Sequence, residues 1–213
     1  MWNVKGEFAP AESPWHPRRR TAYGLRMTTP DPASVPDTTT RRVDPPHQGD
    51  EVTLLRSYVA FLRASVRLKA QGLDAASLRT RHEPSELTLG GLLKHLALVE
   101  HWWFSCVLRG TGYAEPWASV DWDADEDWDH HSADQDSPAE LLALYDGAIA
   151  ESDRITDELL ATPEGLDTVA LRPPPEGDPV TLRYVLLHMV EEYGRHAGHA
   201  DLIRESIDGL TGE

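Results

Sequence analysis

Residues Thr181–Ile207 read TLRYVLLHMVEEYGRHAGHADLIRESI. Leu182, Val185, Leu186, Met189, Val190 and Tyr193 recur at steps of three and four, the period of a helix with one buried face, and Leu202 and Ile203 are its further apolar members. Three other segments repeat this pattern. About Asp50–Ala70 carries Leu54, Leu55, Tyr58, Val59, Leu62 and Val66, with Gly72 placed to stop it. About Thr88–Leu108 carries Leu92, Leu93, Leu96, Val99, Trp103 and Cys106, with Thr88 as its cap. Ser137-Pro138-Ala139-Glu140 is a capping box with proline at the first helical position. It opens a segment that Leu141, Leu142, Tyr145, Ile149, Ile155 and Leu159 carry to about Leu160. No stretch alternates over strand length. Four helices and nothing else predict an all-α chain, a four-helix bundle. Its connections, about 16, 28 and 20 residues, exceed the two to eight that join plain antiparallel neighbours, so crossovers or loops folded over one end are expected.

Residues 1–49 differ from the rest. The first fifty residues hold eight of the sixteen prolines and no apolar period, and predict an irregular extension before a bundle domain at 50–213. Arg18–Arg20 precede no apolar run of signal-peptide length, and Met27 opens a second possible start, so residues 1–26 are expected to be dispensable. The whole chain carries a net charge of −16, and the first fifty residues contribute +1 of it, which leaves the bundle acidic. An acidic bundle does not wrap a nucleic acid, and no apolar run is long enough to span a membrane. Cys106 is the only cysteine and cannot form an internal disulfide, which fits a reducing, cytoplasmic setting.

The histidines carry the chemistry. His188, Glu192 and His196 stand at steps of four on the last helix, with His199 three further on. Four residues turn a helix by only about 40° beyond a full revolution and rise about 6 Å, so adjacent members can chelate one ion. His188 and His196 are about 12 Å apart along the axis, so the pair is either His188 with Glu192 or Glu192 with His196. Gly194 and Gly198 flank His196 and suggest close approach by something. On the second helix His95 lies among Leu92, Leu96 and Val99 and points inward, while His101 is nearer the edge. His95 opposite Glu192 and His196 gives two imidazoles and a carboxylate with a fourth position open, the form of a catalytic zinc site. A core histidine bonded to a neighbour is the competing reading. The acidic run Asp121–His131 reads as a solvated loop whose tryptophans pack on the bundle, or as a lid or cation-attracting rim over a site. It lacks the glycine and final glutamate of a calcium loop. Cys106 sits on the apolar stripe and reads as packing. Gly90-Gly91 lacks phosphate-loop spacing.

The stretches Thr88-Leu-Gly-Gly-Leu-Leu-Lys-His95-Leu96 and Leu187-His-Met-Val-Glu-Glu192-Tyr-Gly-Arg-His196-Ala-Gly-His199-Ala-Asp-Leu202 resemble the DinB-like superfamily, and within it the actinobacterial branch. The resemblance covers about residues 50–207. It implies a DinB-like four-helix bundle with a divalent metal at one end, held by a histidine of the second helix and a His-x-x-x-His pair of the last. Position by position, His95 takes the first place and His196 the last. The middle place is Glu192, as in the similar mycothiol-dependent maleylpyruvate isomerases, which use two histidines and a glutamate. The family's Arg-Gly-Gln after the last ligand reads Ala197-Gly198-His199 here, so contacts made there do not carry over.

The resemblance implies a thiol S-transferase. A divalent metal, zinc first and nickel, iron or manganese as alternatives, would activate a low-molecular-weight thiol, mycothiol, for attack on an electrophilic small molecule, a detoxification chemistry. The alternative is a stress-response bundle that binds a metal or ligand without turnover. The expected partners are the thiol and the electrophile, with a homodimer allowed for and neither nucleic acid nor membrane involved.

Overall fold

A computed structural model describes residues 42–173 and 178–211; of the predicted extension at 1–49, residues 1–41 lie outside the described residues. All four expected helices are present: α1 at Glu51–Ala70, α3 at Leu89–Glu100, α5 at Pro138–Leu160 and α6 at Leu182–Asp208. Two short helices stand between them, α2 at Ala75–Leu78 and α4 at Trp128–Ser132. These fall inside the long connections, and one turn of helix is too short to leave a periodic signal. Among the described residues the only β-pairing is the isolated bridge Val169–Thr181.

Local chemistry sets the helix ends. Asp50, Thr88, Ser137 and Thr181 each accept a hydrogen bond from a backbone N–H of the first turn. Ser137 and Glu140 complete the expected capping box. Such caps are worth about 1 kcal/mol each. Gly72 follows the end of α1 at φ +76°, and Gly209 ends α6 at φ +75°, left-handed conformations that glycine adopts without strain. The second predicted helix changes pitch part-way: His101–Leu108 continues α3 as a π-helix. A π-helix leaves different terminal carbonyls to satisfy, and the last two are met from outside. Leu171 and Arg172 donate their N–H groups to the carbonyls of Leu108 and Val107, at 3.2 and 3.1 Å. The connection before α6 is thereby fastened to the end of the π-helix.

α1 packs chiefly on α6 and α3 on α5, while α3 also touches α1 and α6. The core between them holds Val59, Val66, Leu92, Leu93, Leu96, Phe104, Leu141, Tyr145, Val185, Met189 and Tyr193. Each fully buried side chain of this size contributes about 1.5–3 kcal/mol. Cys106 is completely buried in the same stripe, as expected. Tyr58 and Leu202, read as members of their buried stripes, are instead about half exposed, at 50% and 54%. At about 100° per residue Leu202 falls on the face of α6 opposite Leu182, Met189 and Tyr193, and Tyr58 lies on the solvent side of α1. Among the described residues no helix is long and apolar enough to cross a membrane.

A buried ion pair crosses this core. Arg63 of α1 donates to both oxygens of Glu100 on α3, at 2.6 and 2.7 Å. Tyr193 of α6 donates its hydroxyl to the same carboxylate at 2.8 Å, and Tyr145 of α5 donates to the Arg63 carbonyl at 3.0 Å. All four long helices thus meet at one fully paired network. An unpaired charge there would cost several kcal/mol, so this network fixes how the helices are rotated about their axes.

Candidate metal centre

Rotation matters because Tyr193 is the neighbour of Glu192. With Tyr193 turned to the core, Glu192 and His196 present themselves on the adjoining strip of α6, facing α3. On α3 the Thr88 cap starts the helix, and His95 follows nearly two turns later. Three donor atoms meet there. His95 Nε2 lies 3.3 Å from Glu192 Oε1, and His196 Nε2 lies 3.2 Å from the same oxygen. Donor atoms of the three residues all lie within 4.8 Å of one another. Glu192 and His196 are buried, and the His95 side chain keeps 23% of its exposure, so the cluster is reached from solvent on the His95 side. The structure therefore pairs Glu192 with His196. His188 turns away: its ring packs on Trp103 at 4.7 Å and its nearest acid is Glu191, at 3.7 Å.

The electrostatics are those of an imidazole cradled by acids. Burial works against a charge on His95, but hydrogen bonds to Asp129 and Glu192 outweigh it and raise the imidazole to about 9. Hydrogen bonds from His196 and His95 hold the Glu192 carboxyl far below the usual carboxylate range, against its burial. Burial and the neighbouring His196 and Arg195 lower His199, whose Nδ1 stands 3.4 Å from His196 Nδ1.

Two members of the cluster escaped the sequence reading. Asp129 and His130 lie on α4, at the end of the acidic run. Asp129 is buried, and its Oδ2 lies 2.7 Å from His95 Nδ1. The His130 ring stacks on His95 with centroids 4.7 Å apart. The tryptophans of the run cluster, Trp128 meeting Trp117 and Trp122 edge-on, and its last turn brings Asp129 and His130 against His95. Gly91 makes this approach possible: a Cβ there would stand 2.9 Å from His130 Nδ1. The expectation for Gly194 and Gly198 is not met, since a Cβ at either would face open space. The double glycine dismissed as a phosphate loop is where backbone meets neighbour. His101 is elsewhere, accepting the Ala114 N–H at 3.1 Å, and His131 is exposed beside Asp125.

The family model for mycothiol-S-transferase matches residues 54–209, from the first turn of α1 to the end of α6. The chain belongs to the mycothiol-S-transferase family. It is a DinB-like protein, and the match includes His95, Glu192 and His196. No curated protein matches the chain. For a mycothiol-S-transferase, the donor chemistry of this cluster suits a divalent ion: two imidazole nitrogens and an ionised carboxylate, brought from two helices onto one point. A cavity of about 410 Å³ has His130 on its wall, with Arg81, Thr88, Asp127 and His131, and none of the three ligand candidates lines it.

Proposed function

We propose that this protein is a metal-dependent S-transferase, with His95, Glu192 and His196 as the metal ligands and mycothiol as the thiol. The observation that carries this reading is the convergence of two Nε2 atoms on one carboxylate oxygen, within a family named for mycothiol transfer. A zinc-class ion held there would supply the Lewis acidity that keeps an incoming thiol deprotonated at neutral pH. Nickel, iron and manganese accept the same donor set. The chain's own residues do the rest. Glu192 brings the one negative charge among the ligands. His95 and His196 come from different helices, so the bundle fixes their separation. The thiol gives up its proton to solvent, its sulfur forms a bond to the electrophilic carbon, and the leaving group departs with the electrons of the carbon–leaving-group bond. No protein thiol takes part: Cys106 is fully buried, and burial raises its thiol above its ordinary value.

The test is conjugation of mycothiol to monochlorobimane by zinc-loaded protein. Wild type is expected to accelerate the reaction. His95→Ala and His196→Ala are expected to lose at least about 100-fold in rate. Cys106→Ala should keep most of the rate while losing some stability to the cavity it leaves. No turnover with mycothiol across several electrophiles, in protein that does bind zinc, would favour a binding protein without catalysis. Loss of activity in folded Cys106→Ala alone would overturn the mechanism.

A further inference from the structure

His95 stands between two carboxylates. Its Nδ1 is 2.7 Å from Asp129 Oδ2 and its Nε2 is 3.3 Å from Glu192 Oε1. A neutral imidazole has one proton and two ring nitrogens, so only one of these contacts can be a hydrogen bond donated by His95. The choice decides whether the site works. A proton on Nε2 would point at Glu192 and occupy the position where an ion must bind. A proton on Nδ1 leaves the Nε2 lone pair free.

We propose that Asp129 is a positioning residue that holds the His95 proton on Nδ1 and so aims the Nε2 lone pair at the point shared with Glu192 and His196. The inference rests on the metal-ligand reading above and extends it to a residue on a separate element. The distances favour it: the contact to Asp129 is shorter by 0.6 Å, which is the difference between a charge-assisted bond and a marginal one. Asp129 is also the more enclosed acid, with 5% of its side chain exposed against 11% for Glu192. A carboxylate buried to that degree needs a donor, and His95 provides it.

The surroundings make Asp129 a fixed partner rather than a passing one. Lys94, the residue before His95, reaches across to Asp136 at 2.6 Å and lies over the Trp128 ring at 4.6 Å. It is itself buried, and so ties the first residue of α4 and the segment between α4 and α5 to α3. His130, the next residue after Asp129, stacks on the His95 ring with planes 21° apart and resists a ring flip. Carboxylate–histidine pairs behind a metal typically carry about 10- to 100-fold of its affinity.

Two measurements test this. The first is zinc affinity by competition with a chelator. Asp129→Ala should bind zinc about 10- to 100-fold more weakly than wild type. Asp129→Asn, which keeps an acceptor oxygen but not the charge, should fall between them and serves if alanine does not fold. Asp123→Asn, an exposed acid of the same connection, should match wild type. The second is the ¹⁵N shift pattern of His95 in metal-free protein, made alkaline enough for the ring to be neutral. Wild type should show the proton on Nδ1, and Asp129→Ala should show it moved to Nε2. Zinc affinity within twofold of wild type in folded Asp129→Ala would overturn the proposal. So would complete loss of zinc in Asp129→Ala with retention in Glu192→Ala, which would make Asp129 a ligand instead. If wild type binds no zinc, the ligand reading fails by itself. The ¹⁵N pattern then decides the role of Asp129 separately, and an Nε2 proton in wild type overturns it.

Discussion

His95 gathers the largest consequences at the scale of one residue. In the metal-free protein its two carboxylate partners favour the imidazolium and raise it to about 9, from an ordinary value of 6.5. The sign of the pH effect follows. A raised histidine contributes stability that is fully present below the ordinary value and is lost as the pH rises through about 9. Metal-free protein should therefore lose melting temperature over that window, and His95→Gln should lose less. A metal ligand must be deprotonated, so binding displaces one proton from His95. Zinc affinity should climb about tenfold per pH unit up to about 9 and flatten above it. A flat affinity below that pH would mean that His95 gives up no proton and is not a ligand.

At the scale of an element, α4 shows where sequence reading succeeds and stops. The four long helices were legible because each repeats its apolar spacing over many turns and opens with a capping residue. His95, Glu192 and His196 were legible for the same reason: their positions along helices fix their facing. Asp129 and His130 were not, because a single turn of helix carries no period and the run around it is dense with similar acids. The one usable signal was Gly90-Gly91, a pair of poor helix formers at the start of a helix. There Gly90 comes within 3.2 Å of the Leu78 carbonyl and Gly91 within 2.9 Å of His130, measured to a Cβ each lacks. The same glycine signal at 194 and 198 misled, since those positions face solvent. Denaturant titration separates the two cases. Gly91→Ala should destabilise the protein by about 1–3 kcal/mol, the cost of overpacking. Gly194→Ala should stabilise it by up to about 1 kcal/mol, the helix propensity of alanine over glycine. A stabilised Gly91→Ala would mean that α4 is not docked where it is described.

Across the whole molecule, the folded unit is proposed to begin just before α1, as the sequence predicted for residues 50–213. Deleting residues 1–26 should leave the melting temperature and the metal content unchanged. A fall of more than about 4 °C, the scale of 1 kcal/mol in a small domain, would mean that this segment is docked. Within the bundle the buried Arg63–Glu100–Tyr193 network joins α1, α3 and α6, and its Tyr193 is the residue next to Glu192. The proposed centre is thus a property of the assembled bundle, since no single helix holds all three ligands. Metal content of untagged protein after zinc reloading and desalting measures that claim most directly, with Glu191→Ala as the neighbouring control for Glu192→Ala. About one zinc per chain is expected in wild type and in Glu191→Ala, and a large loss in His95→Ala, Glu192→Ala and His196→Ala. Less than about 0.2 zinc per chain in wild type, or equal zinc in Glu191→Ala and Glu192→Ala, would contradict it.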